Sequence, residues 1–213
     1  MIIALGHRSG HGKDTFAELL QSKLGKDKVY IRSWADAVKE TSQKLYGHLG
    51  LQDRNFYNTR EGREVRNFKL AIIDLTPVEI WIKVGEGMRA IYWDTWKDQL
   101  HNYYEALPPD TILVVPDTRH INEVESADLS VKIVNTRIPD RTGMSIDDIL
   151  QHHQFNCTIS NNGTLEEYSK SIDLFIQELK LATYTDRSHF AILGGQNPRR
   201  LSGKIFARDG GSM

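Results

Sequence analysis

"MIIALGHRSGHGKDTFAELLQSKL", residues 1–24, decides how the rest of the chain is read. Residues 1–5 form an apolar run that reads as a buried strand. A glycine-rich polar stretch follows. Then comes "DTFAELLQSKL" (14–24), with Phe16, Leu19, Leu20 and Leu24 at helical spacing and Gly25 as its stop. A glycine loop between strand and helix can turn several backbone N–H groups onto one anion, with the positive end of the helix dipole behind them. Gly10 and Gly12 supply the conformational freedom, and Lys13 has the reach to meet terminal phosphates. The spacing departs from G-x-x-x-x-G-K-[ST]. His7 stands at the first glycine position, and Asp14 follows the lysine with Thr15 next. Arg8, Ser9, Gly10, His11, Gly12, Lys13, Asp14 and Thr15 are the candidate phosphate-binding residues.

Outward from this stretch, short apolar runs alternate with helical patterns. Strands are expected at 29–34, 111–117, 130–137 and 157–161, and Pro116 marks the end of the second of these. Helices are expected at 36–49, with Asp36 as cap, and at 121–127 and 164–182. The last shows Leu165, Tyr168, Ile172, Phe175, Ile176 and Leu179 on one face, with Thr164 and Glu167 at capping-box spacing. Residues 50–107 are polar, aromatic and arginine-rich, with no clear strand. The pattern predicts an α/β fold in which a parallel sheet is flanked by helices and 50–107 forms an inserted helical lobe.

The 213 residues favour one domain able to bury a core without staples. A net charge of −1 gives no global sign of a nucleic-acid or membrane-surface protein. The single Cys157 excludes an intrachain disulfide and points to a reducing, cytoplasmic setting. No membrane span or signal peptide is expected.

Five blocks, in order, resemble the deoxynucleoside monophosphate kinases of bacteriophages and the related phosphomevalonate kinases. They are "GKDT" (12–15), "SWADAVKE" (33–40), "LTPVEIWIKVGEGMRAIYWDTW" (75–96), "VVPDTRHINEVE" (114–125) and "TISNNGTLEEYSKSIDLFI" (158–176). The resemblance covers roughly 1–180. It implies a P-loop kinase core over 1–182 and a substrate lobe at 50–107. It also implies a host-cytoplasmic enzyme using ATP and Mg²⁺ to phosphorylate deoxynucleoside monophosphates. Thr15 would then supply a hydroxyl near the metal.

Phosphoryl transfer needs positioned nucleotides and positive charge around the moving group. Lys13, Arg89, Asp117, Arg119 and Arg137 are therefore the catalytic candidates, with Arg8 and Arg141 as further ATP contacts. Thr15 and Asp117 are the metal candidates. Trp34, Asp36, Lys39, Gly85, Arg89, Trp93, Trp96 and Glu123 are the acceptor-site candidates, with tryptophan offering a flat surface to a base. "IPDRTG" within 137–150 reads as a short lid. Arg60, Arg63 and Arg66 form a stripe that reads first as a solvated face. Trp81 reads as packing, His152–His153 as surface histidines, and Cys157 as packing. Residues 183–213 read as a flexible end or as an arm packing on the neighbour in a homodimer. Two other readings stay open: a kinase of another small phosphorylated acceptor, and a non-catalytic nucleotide-binding protein.

Overall fold

The computed structural model describes residues 1–6, 8–138, 149–150 and 152–184. His7, Arg141, Gly143 and the segment 185–213 lie outside these residues, and so does most of the lid reading. The chain divides into two compact units: Met1–Arg32 with Leu107–Met213, and Ser33–Ala106.

The first unit is an α/β layer structure. Its strands are β1 (Ile2–Gly6), β2 (Val29–Ile31), β3 (Ile112–Val115), β4 (Leu129–Val134) and β5 (Cys157–Ser160). They form one sheet in the order β2-β3-β1-β4-β5, and every pairing is parallel. Among the described residues, the first unit's helices are α1 (Lys13–Leu24), α7 (Ile121–Ser126) and α8 (Leu165–Tyr184).

Side-chain alternation explains why β1 is buried along its whole length. Ile3 and Leu5 join the core built by Phe16 and Leu20 of α1 and by Tyr168, Ile172 and Phe175 of α8. Gly6 faces the other way, directly against Phe155, which clusters with Val124 of α7 and Leu150. A parallel sheet covered on both faces needs such near-continuous apolar strands, which is why "IIAL" and "ILVV" show no alternation.

The second unit is helical among its described residues: α2 (Trp34–Tyr46), a 3-10 turn (Gly47–Leu49), α3 (Arg54–Asn58), α4 (Arg60–Val65), α5 (Pro77–Ile91) and α6 (Thr95–Glu105). Its core gathers Leu51, Tyr57 and Ile80, with Phe56, Trp81 and Val84 packed around them. The unit begins at Ser33 and so includes α2, upstream of the expected boundary at 50.

Several local expectations change: the strand expected at 130–137 ends at Val134, the helix expected over 36–49 ends at Tyr46 with a 3-10 turn to Leu49, and two boundaries move at the start of the second unit. The strand at 29–34 stops at Ile31, and α2 begins at Trp34. The reason is a capping box: Ser33 is the N-cap, and Asp36, expected as the cap, is the third helical residue and accepts the Ser33 N–H at 3.0 Å. Elsewhere the termini follow their signals. Gly25 ends α1, β3 stops before Pro116, and Thr164 and Glu167 exchange the two capping hydrogen bonds that open α8. Among the described residues, no helix is long and apolar enough to cross a membrane.

Candidate functional site

The loop from β1 to α1 is built by its glycines. Gly10 has φ 83° and Gly12 has φ 98°, both in the left-handed region that an L side chain disfavours. Gly12 is the N-cap of α1 and brings no side-chain cap, so α1 starts with the orphan N–H groups of an uncapped helix. The Lys13 ammonium donates to the Arg8 carbonyl at 2.7 Å, closing the loop on itself. Asp14, exposed in the first turn, has the sign the helix dipole favours there.

The loop is held from the far side of the sheet order. His11 is buried, and its Nδ1 accepts the Asn135 N–H at 3.1 Å, just past β4. The Asn161 amide, just past β5, donates to the His11 carbonyl at 3.0 Å. The Tyr168 hydroxyl of α8 donates to the Gly12 carbonyl at 3.1 Å, and burial pushes that phenol's pKa up, so it stays a donor. A side chain at position 12 would collide with the Asn161 amide, a second reason for glycine there. Arg137 reinforces the same support. Its guanidinium donates to the Gly163 carbonyl at 2.9 Å and its N–H to the Asn135 side chain at 3.1 Å.

The facing wall follows β3, the sheet neighbour of β1. Pro116, Asp117, Thr118 and Arg119 line one pocket of about 270 Å³ together with Ser9, Gly10, Gly12, Lys13, Asp14 and Thr15. This pocket therefore lies at the carboxyl ends of two adjacent parallel strands, where open α/β sheets present ligand crevices. Glu123 fixes the wall from behind. Buried in the first turn of α7, it accepts the Arg119 N–H at 2.9 Å and the His120 N–H at 3.1 Å. The lining residues carry backbone N–H groups, one ammonium, one guanidinium, three hydroxyls and two carboxylates around a space large enough for a phosphate chain.

In the second unit the candidates are largely engaged in structure. Asp36 is buried, caps α2 and pairs with the Arg54 guanidinium at 2.8 Å, while Arg54 also reaches Glu40 at 3.0 Å. Trp34 and Trp96 are buried, and the Trp96 indole donates to the Gly85 carbonyl at 3.0 Å. Lys39 stands 5.4 Å from the centre of the Trp81 ring, which meets Tyr57 edge-on. Gly85 is buried beside Val38 and the half-buried Arg89, and Trp93 is exposed.

The sequence candidates thus divide. Ser9, Gly10, Gly12, Lys13, Asp14, Thr15, Asp117 and Arg119 come together around one pocket. Arg8 and His11 belong to the loop but do not line that pocket. Arg137 holds the turn beyond β5, and Glu123 is a buried cap. Sequence reasoning missed Thr118 in the wall and the supporting pair Asn135 and Asn161. A signal was present: parallel strands bring their carboxyl ends to one edge, so the polar residue just past each strand is a candidate by position.

Among the described residues no group of three or more His, Cys, Asp or Glu side chains is arranged to hold a metal. Cys157 is fully buried, and desolvation pushes its thiol up to about 12, so it is packing rather than a nucleophile. No protein-family model matches the chain, and no curated protein matches it in sequence.

Proposed function

We propose that this protein is an ATP-dependent kinase of deoxynucleoside monophosphates. In this reading 8–15 is a P-loop, and the second unit is a substrate lobe inserted in the kinase core. The observation that carries it is the single pocket shared by Gly10, Gly12, Lys13 and Thr15 on one strand end and by Asp117 and Arg119 on the next. The reaction needs an acceptor phosphate oxygen to attack the γ-phosphorus of ATP while the bond from that phosphorus to the β-phosphate oxygen breaks, releasing ADP. The loop N–H groups and Lys13 hold the donor phosphates, and Arg119 meets the charge that spreads over the moving phosphoryl group. Thr15 and Asp117 fit Mg²⁺, which takes few protein oxygens and completes its shell with phosphates and water. When bound it would neutralise charge on the terminal phosphates.

For the acceptor, Trp93 is the tryptophan that remains once Trp34, Trp81 and Trp96 are assigned to packing, and Arg89 is the guanidinium for its phosphate. That narrows the support for a base, so a non-nucleotide acceptor is the second reading. A coupled ADP-release assay across deoxynucleoside monophosphates, ribonucleoside monophosphates and phosphomevalonate tests both. Release with deoxynucleoside monophosphates is expected. Release only with phosphomevalonate selects the second reading, and ATP binding without release for any acceptor selects a non-catalytic protein.

A further inference from the structure

We propose that His11 is a positioning residue, a neutral strut that holds the loop before Lys13 and makes its grip on a polyphosphate weaken with acid. The inference rests on the P-loop reading and goes beyond it, because His11 does not line the pocket.

The imidazole is 3% exposed, while Ser9 and Gly10 beside it are exposed. A backbone N–H can only donate, so the Asn135 N–H at 3.1 Å requires a lone pair on Nδ1 and hence a neutral ring with its proton on Nε2. Protonating the ring sets two donors against each other and strands a buried N–H. Three supports converge on the two residues before Lys13: Asn135 on the His11 ring, Asn161 on the His11 carbonyl, and Tyr168 on the Gly12 carbonyl. Only the first rests on an imidazole, whose nitrogen accepts only while it is unprotonated.

Among the described residues, the charged and titratable groups on the surrounding elements are Arg8, Lys13 and Asp14 of the loop and α1, Lys132 and Arg137 of β4 and its end, and Glu167 and Tyr168 of α8. Four of them are cations. Asp14 is exposed, the Glu167 carboxylate accepts the Thr164 N–H while the Glu167 N–H donates to the Thr164 hydroxyl oxygen, and the buried Tyr168 is neutral.

The test uses the full chain and two substitutions. His11→Asn puts a non-titrating acceptor oxygen near the Nδ1 position, and His11→Leu removes the acceptor. ATP affinity is measured by calorimetry at pH 8 and pH 5.5, and hydrogen-exchange protection of the Asn135 amide is measured without nucleotide. At pH 8, His11→Asn is expected to retain affinity within about threefold, and His11→Leu to lose about tenfold, the worth of one hydrogen bond. Between pH 8 and 5.5 the wild type is expected to lose about tenfold relative to His11→Asn, and Asn135 protection is expected to follow the same order. Identical pH dependence in the wild type and His11→Asn overturns the proposal, as does undiminished Asn135 protection in His11→Leu. Expected protection with no ATP binding by any form removes the nucleotide reading and leaves the strut. Normal binding with an unresponsive Asn135 removes the strut alone.

Discussion

The two units use their polar residues in opposite ways. In the first, polar side chains support backbone: Asn161 and Tyr168 hold carbonyls of the loop, Glu123 holds the N–H groups of the facing wall, and the pocket is left to glycines, Lys13, Thr15, Asp117 and Arg119. In the second, polar side chains support helices: Asp36, Asp53, Thr59 and Glu79 cap their starts, and Trp96 ties α6 to α5. Both units expose some large apolar side chains, Ile91, Trp93, Phe68 and Ile72 in the second and Leu165 and Leu174 in the first, but the first packs continuous aliphatic and aromatic layers on its sheet. A preformed anion site needs rigid backbone, and a rigid backbone needs a deep core behind it. On the proposed reading, the difference goes with chemistry in the first unit and selection of the acceptor in the second.

The hardest blow to this division is Lys13→Ala. It should lower turnover by roughly a hundredfold or more with the fold intact by circular dichroism. Near-normal ADP release from folded protein would remove the first unit from the chemistry. Next is the core behind the loop. Phe175 is fully buried and meets Phe16 edge-on at 5.3 Å, so Phe175→Ala should cost about 3–5 kcal/mol in denaturant unfolding. A loss below about 1 kcal/mol would mean that this layer is not the rigid one.

Arg89→Lys keeps charge but loses the planar fork, so kcat/KM for the acceptor should fall about ten- to a hundredfold, or about 1.5–3 kcal/mol, with ATP affinity unchanged. An effect on ATP instead would place Arg89 at the donor. Gly85→Ala sharpens the same point. A methyl there meets Val38 and Arg89 at ordinary contact distances, and one at Gly87 meets nothing within 4 Å. Each should stabilise α5 by about 0.5–1 kcal/mol in thermal melts. If only Gly85→Ala also raises the acceptor KM, that glycine makes room for the acceptor.

The smallest effect expected is with acid. Hydrogen bonds from the Thr164 N–H and hydroxyl hold Glu167 below the ordinary glutamate range. Its contribution to stability is therefore present above that range and lost as pH falls through the lowered value. The melting temperature of Glu167→Gln should fall less steeply than that of the wild type below the ordinary glutamate range. Parallel curves would remove Glu167 from the acid response.

What was legible in the sequence was local. Gly10, Gly12 and Lys13 between an apolar run and a helical one mark a glycine turn from strand to helix because the constraint lies within a few residues. The supports of that loop were hidden because they come from far along the chain. Asn135, Asn161 and Tyr168 lie 124, 150 and 156 residues from the groups they hold. The β-branched and aromatic residues of "VYIRSW" favoured a strand to 34, but the Ser33–Asp36 capping box won because it satisfies two otherwise orphan N–H groups. Trp34 and Trp96 read as base-stacking surfaces since composition carries no burial. Packing in the second unit claims both.

The sheet also has two ends. β2 has three residues and β5 has four, and among the described residues each pairs with one neighbour only. An outer strand is a template on which another chain can add, and its hazard grows with length and apolar character. Here the runs are short, and β5 alternates buried Cys157 and Ile159 with exposed Thr158 and Ser160, so its uncovered side is polar. The brevity of these strands costs the sheet some pairing and limits how far a neighbouring copy can zip onto it. Replacing Thr158 and Ser160 with valine would leave the fold's own pairings untouched while turning that margin into a surface prone to aggregate.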